Sequence, residues 1–296
     1  MKRSTILGIF LAALILLVFG LSIYLFISRI NKETMFASPL PLMGSKKVAV
    51  VEIIGVISDS KSIIEKIVKF RKNDSVKAVV LRIDSPGGAV GPAQEIYEEV
   101  KKTKAVKKVV ASMGSVAASG GYYVACGADK IVANPGTLTG SIGALFEFMN
   151  LKELMHWAKI KGEVVKSGEF KDVGYPFRDM TSRERALLQE LINNVHSQFK
   201  RAVVESRGLP AQKVDKIADG RIFTGEQAKE LGLVDELGNL EDAVALAAKL
   251  AGIEGEPTVI YPEKPRRQLL DLFFEDAAAY IMKQIHEGDW FKLSYQ

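Results

Sequence analysis

The apolar positions of the chain fall into three patterns. Residues 6–27 form an uncharged run in which nearly every position is Leu, Ile, Val, Ala, Phe or Gly. As a helix rising ~1.5 Å per residue, this run extends about 33 Å, enough for a hydrocarbon core of ~30 Å. The second pattern is a set of short apolar runs, residues 48–54, 78–83, 108–112 and 130–133, several rich in β-branched side chains. These predict buried parallel strands. The third has helical spacing. Residues 62–70 set Ile63, Ile64, Ile67 and Phe70 on one face, and residues 91–104 predict a second helix. Strands alternating with helices predict an α/β domain with a mainly parallel sheet. A long helix should open at the capping box Thr181-x-x-Glu184 and close near Gly208; a shorter one should run from Thr224-x-x-Gln227 to Gly232. From Arg266 onward, Leu269, Leu272, Phe273, Tyr280 and Ile281 suggest an amphipathic helix, packed on the body or a neighbouring subunit.

Charge sharpens this division. The chain has 296 residues and a formal charge of +5. Six of its 40 Lys and Arg, but only Glu33 of its 35 acidic residues, precede Val48, so the body after that point is formally neutral. A neutral body removes the main electrostatic reason to expect a nucleic-acid partner. The apolar run is longer than the ~7–15 residues usual in a cleaved signal peptide, so it predicts a retained membrane anchor. Its basic tail of residues 1–5 favours the tail inside and the body outside, and residues 28–47, with Pro39, Pro41 and Gly44, read as a linker. The expected layout is therefore tail 1–5, anchor 6–27, linker 28–47, a folded domain 48–252 and a C-terminal extension 253–296. A single cysteine, Cys126, excludes an internal disulfide framework and a multi-cysteine metal site.

Two glycine-rich segments carry candidate chemistry. Asp84-Ser85-Pro86-Gly87-Gly88 follows one predicted strand; Gly114-Ser115-Val116-Ala117-Ala118-Ser119-Gly120-Gly121 follows another, taken to end near Ser112. Either could be a plain strand-to-helix turn, with Ser119 an N-cap. Together they could set backbone N–H groups around one oxygen beside a serine nucleophile. The histidines suit a Ser-His-Asp triad poorly: His156 and His196 lie beside apolar positions as expected of satisfied structural residues, and His286 is near the C-terminus. Lysine can act as the base if its pKa is lowered, and composition alone does not choose among the lysines.

The segments Asp84–Gly88, Ser112–Tyr123, Ala133–Gly143 and Lys166–Asp172, extended by Gly220-Arg-Ile-Phe-Thr-Gly225 and Leu231-Gly-Leu-Val-Asp-Glu-Leu-Gly238, resemble bacterial signal peptide peptidase A across residues 48–250. Beyond Leu250 the resemblance lapses. It implies a Clp protease/crotonase-like fold and a membrane-anchored serine endopeptidase that degrades signal peptides left in the membrane after secretion. It also implies roles: Ser119 as nucleophile, Lys171 as general base, Ser141 as hydrogen-bond partner of that lysine, and the amides of Gly88 and Gly120 as oxyanion hole. Metal and cofactor are not needed. In the short form the family assembles into rings that share each site between subunits, so a homo-oligomer is expected. The alternatives are a related protease cutting stomatin-like membrane proteins and a catalytically silent scaffold on the same fold. Lys166 competes with Lys171; if their segment is extended, the five-residue spacing points them to opposite faces.

Overall fold

The computed structural model describes residues 46–262. The expected tail, anchor, most of the linker and the amphipathic segment from Arg266 lie outside the described residues. Among those described, no helix is long and apolar enough to cross a membrane.

Eight strands form one sheet: β1 (Lys47–Ile54), β2 (Val76–Ser85), β3 (Lys108–Ala118), β4 (Lys130–Ala133), β5 (Leu138–Gly140), β6 (Ile222–Thr224), β7 (Glu236–Leu237) and β8 (Thr258–Ile260). Their order is β6-β5-β3-β2-β1-β8, with β4 pairing to β3 and to β7. Every pairing is parallel except β5–β6. Helices α1 (Lys61–Arg71) and α2 (Val90–Lys104) make the crossovers from β1 to β2 and from β2 to β3. They are followed by α3 (Gly120–Ala125), α4 (Lys152–Trp157), α5 (Ser182–Arg207), α6 (Ala211–Ile217), α7 (Gly225–Leu231) and α8 (Leu240–Leu250).

Side chains alternate between two cores, as the period of a strand requires. Ala49, Val51 and Ile53 of β1 and Val79, Leu81 and Ile83 of β2 join Ile67 of α1, Ile96 of α2 and Tyr122 of α3. Their neighbours Val48, Val50, Ala78 and Val80 face the other way, onto Ala243, Val244, Ala247 and Ala248 of α8. Cover on both faces is why these strands read as unbroken apolar runs. Full burial of a side chain such as Leu81 or Ile96 contributes ~1.5–3 kcal/mol. Both expected capping boxes are present: Thr181 and Glu184 bond reciprocally, as do Thr224 and Gln227, and the two helices end at the left-handed residues Gly208 and Gly232.

Three features differ from the sequence reading. Strand β3 does not stop near Ser112 but runs on to Ala118. It does so through a bulge, since two steps of β2 from Ile83 to Ser85 oppose four steps of β3 from Met113 to Ala117. The Asp84 carboxylate accepts the Val116 N–H at 3.1 Å and Thr137 Oγ1 donates to the Gly114 carbonyl at 2.6 Å, so the bulged backbone stays bonded. The outer strand β8 comes from beyond residue 252, and the sheet therefore draws on the segment read as an extension. The chain around Lys166 and Lys171 is a series of turns rather than a strand, which removes the opposite-faces argument.

Candidate active site

Ser119 stands at the junction of β3 and α3 with φ 50° and ψ −121°. Among the described non-glycine residues only Ser119, Ser141 and Lys159 have positive φ. Such a conformation costs of order 1–3 kcal/mol and persists where the surroundings over-determine it. Here the Ser119 N–H donates to the Gly140 carbonyl at 2.9 Å, and its own carbonyl accepts from Tyr123 N–H at 2.9 Å. Core strand on one side and buried helix on the other leave the backbone no other course. The Ser119 side chain is half-buried and has no hydrogen-bond partner among the described residues.

The segment after β2 approaches this elbow closely. At Gly87, φ is +104°, and a Cβ would lie 2.7 Å from Gly120 N and 2.8 Å from Ser119 Cβ, so only glycine fits. Gly88 is bracketed by two bonds to Ile57, whose N–H donates to Gly87 O at 2.9 Å and whose carbonyl accepts from Ala89 N–H at 2.8 Å. Alternation then turns the N–H of Gly88 away from Ile57. Gly120 opens α3, so its N–H has no acceptor within the helix. Neither amide has a hydrogen-bond partner among the described residues. An ideal Cβ on Gly120 would sit 3.3 Å from Gly88 N, so the two donors border one small space beside Ser119. Two unengaged N–H groups there can stabilise negative charge developing on a carbonyl oxygen.

Ser141 is brought to the same place by strand register. Ala118 pairs with Gly140, which makes Ser119 and Ser141 lateral neighbours just past the ends of β3 and β5. Both have left-handed backbones, with φ 50° and 49°. The Ser141 N–H is held by Arg221 O at 2.8 Å and its hydroxyl is unengaged among the described residues.

Lys171 is not brought to Ser119 within this chain. It lies in an exposed turn, its N–H on Gly168 O at 3.2 Å, and its ammonium makes no hydrogen bond or ion pair among the described residues. The cleft beside Ser119 is lined by Gly88, Ala93, Gly120, Tyr123, Val195 and Phe199, among others, and Lys171 is not one of them. Lys166, by contrast, is engaged: its Nζ meets Asp172 Oδ1 at 2.6 Å and Glu169 O at 3.0 Å. The remaining candidates fall away. His156 is exposed, and His196 has a buried Nε2 without a partner, so neither is the satisfied structural residue expected; neither lines the cleft. Burial pushes the Cys126 thiol up to about 11, which makes it a poor nucleophile.

Gly87, in the first glycine-rich segment, makes a close backbone approach directly under the elbow, as paired glycines after Pro86 allow. One contributor went unread in the sequence: the Asp84 carboxylate, which holds the bulge that carries β3 toward Ser119.

Comparison with known proteins gives the family. The profile of peptidase family S49 matches residues 101–254, and that of Clp protease matches residues 42–137. A protein described as a protease in Synechocystis sp. is 44% identical over 217 residues, covering 73% of this chain and 78% of that protein. A protein described as a protease in Methanocaldococcus jannaschii is 33% identical over 289 residues, covering 93% and 91%. One described as the signal peptide peptidase SppA of Enterococcus faecium is 33% identical over 215 residues, covering 68% and 62%. Matched along more than half its length and carrying the Clp protease-like α/β fold, the chain is a protease belonging to peptidase family S49.

Proposed function

We propose that this protease is a membrane-anchored serine endopeptidase that uses Ser119 and Lys171 to degrade signal peptides left in the membrane after secretion. The observation that carries the reading is the left-handed backbone of Ser119 at a strand-to-helix elbow, flanked by the unengaged amides of Gly88 and Gly120. Ser119 Oγ attacks the scissile carbonyl carbon while Lys171 Nζ, as neutral amine, takes the hydroxyl proton. The two amides hold the oxyanion, the C–N bond breaks, and the lysine returns its proton to the leaving amine. Water then cleaves the acyl ester by the same path. Ser141 accepts a hydrogen bond from the lysine and orients it.

Because Ser119, Ser141 and Lys171 each lack a side-chain partner among the described residues, this reading has the lysine supplied by a neighbouring copy in a ring. The exposed apolar side chains between β5 and α5, including Leu145, Phe146, Met149, Trp157 and Val165, favour such an assembly over an isolated protomer. Residues 6–27 anchor the ring to the cytoplasmic membrane, with the catalytic domain on its outer side. The apolar lining of the Ser119 cleft, with Ala93, Val195 and Phe199, suits an apolar peptide.

The test uses the full chain in lipid vesicles with a synthetic signal peptide as substrate. Cleavage of the peptide, fluorophosphonate labelling at Ser119, and loss of both in Ser119→Ala are expected. Labelling at another serine, or turnover that survives Ser119→Ala, would overturn the reading.

A further inference from the structure

We propose that Arg178 is a positioning residue for Lys171, holding the turn that carries the lysine in its catalytic place through Asp172. The inference rests on the assignment of Lys171 as general base. Surface contacts reach the turn: Arg183 Nη1 pairs with Glu169 Oε1 at 2.9 Å with its guanidinium over the Phe170 ring, and Lys166 bonds Glu169 O and Asp172. The turn's two arms meet where the Phe148 ring lies against the backbone of Gly174 and where Leu151 N–H donates to Pro176 O at 2.6 Å. Beyond those contacts, residues 161–171 are all exposed, and no core side chain reaches the lysine.

Arg178 adds a restraint from inside the loop that is anchored on a buried group. Its Nε donates to Asp172 Oδ2 at 2.9 Å and its Nη2 to the Asp172 carbonyl at 3.1 Å, so it grips both the side chain and the backbone of the residue after Lys171. The other end of the guanidinium is fixed on Glu184: Nη1 donates to Oε2 at 2.8 Å and Nη2 bonds Oε1. Glu184 is itself immobilised, being 2% exposed and committed to the capping box of α5, where it accepts Thr181 N–H at 2.8 Å. A mechanical path therefore runs from the first turn of a 26-residue helix, through one planar fork, to the backbone next to the base. Arginine suits this because its donors leave in a fixed plane; lysine could not hold four acceptors in that geometry. The Asp172 carboxyl is held well below the usual range, first by Arg178 and then by Lys166, so it stays ionised and the grip is permanent at neutral pH.

The test compares Arg178→Gln with wild type in the full-length assembled protein, reading the rate of fluorophosphonate labelling of Ser119 and peptide turnover. Arg178→Gln should fall by about tenfold to a hundredfold in kcat and in labelling rate, with KM within about twofold, since misplacing a catalytic group by ~1 Å can cost that much. In a Lys171→Ala background, Arg178→Gln should change the residual labelling less than about twofold, because a residue acting only through the lysine has nothing left to position. An equal fold-loss with and without Lys171, or a folded, assembled Arg178→Gln that labels at the wild-type rate, would overturn the inference. If Arg178→Gln does not fold, Asp172→Asn breaks the same grip and is judged by the same criteria. Wild-type labelling by Lys171→Ala sinks the base assignment and this inference together; a slow Lys171→Ala beside a normal Arg178→Gln removes the inference alone.

Discussion

Around Ser119 the neighbours are backbone and core. Gly87, Gly88 and Gly120 press their main chains together, Gly140 O holds the Ser119 N–H, Tyr123 and Phe199 close the base edge to face at 4.9 Å, and the end of β3 is paired with β5 up to the serine. Around Lys171 the neighbours are charges on turns: Lys166, Asp172 and Arg178 within the loop, and Glu184 at its root. The first region is held by packing that cannot relax without opening the sheet. The second is held by directional polar contacts that single substitutions can release while the domain stays folded. The proposed shared site divides along this line: in that reading the rigid half carries the nucleophile and the adjustable half carries the base to a neighbour.

The largest effect that can break this contrast is catalytic complementation. Ser119→Ala and Lys171→Ala should each lose on the order of 10⁴-fold or more in turnover when alone, as linked catalytic groups do. Mixed and allowed to exchange subunits, they should regain a measurable fraction of peptidase activity; no recovery after confirmed exchange would place both groups in one chain.

Next come the two amide donors, which the rigid region treats unequally. A methyl at Gly88 would lie 2.2 Å from Ile57 O, so Gly88→Ala should lose activity by about 10²–10³-fold and lower the melting temperature as well. At Gly120 the nearest atoms are Ala93 Cβ and Gly88 N, both at 3.3 Å. Gly120→Ala should therefore fold and assemble while its methyl obstructs the oxyanion space, giving a loss of roughly tenfold or more with little change in melting. Equal thermal penalties for the two would refute the distinction.

The adjustable region is sharpened by its exposed apolar side chains. Trp157 is 80% and Leu145 78% exposed, so Trp157→Ser combined with Leu145→Ser should leave protomer stability within about 0.5 kcal/mol while shifting sedimentation toward smaller species. Unchanged assembly would remove this surface from the interface.

The smallest effects concern the root of the loop. Thr181→Ala deletes the α5 cap and should cost ~1 kcal/mol, a few degrees of melting temperature. Asp172 and Glu184 are both held below their ordinary values, chiefly by hydrogen bonds from Arg178. Their contribution to stability is complete above the unfolded carboxylate range of ~4 and is lost as pH falls toward the folded values. Melting of the wild type should thus fall faster below pH ~4 than that of Glu184→Gln, with the two curves parallel from about pH 5 to 8.

The same contrast governs how far the molecule could be read from its residues. The runs beginning at Val48 and Ala78 declared themselves because burial on both faces demands apolar residues throughout. The boxes at Thr181 and Thr224 are local, and local bonds leave local signatures. The second half of β3 was hidden because Gly114 and Ser115 look like a turn, and the carboxylate that bonds the bulge at Val116 lies 32 residues away at Asp84. Strands β5, β6 and β7, of three, three and two residues, are too short to show a period. Ser119 was legible through its small neighbours and the family likeness. Arg178 was not, since its role depends on a fork reaching Asp172 and Glu184 across folded turns.

The bond from Ser119 N–H to Gly140 O also has a temporal meaning. Gly140 follows the serine by 21 positions, so at ~5–20 residues per second the ribosome delivers the nucleophile about 1–4 s before its restraint. Until β5 docks, Ser119 lacks this restraint and Ser141 has not arrived beside it. The proposed site is therefore assembled only after the sheet has grown past the elbow.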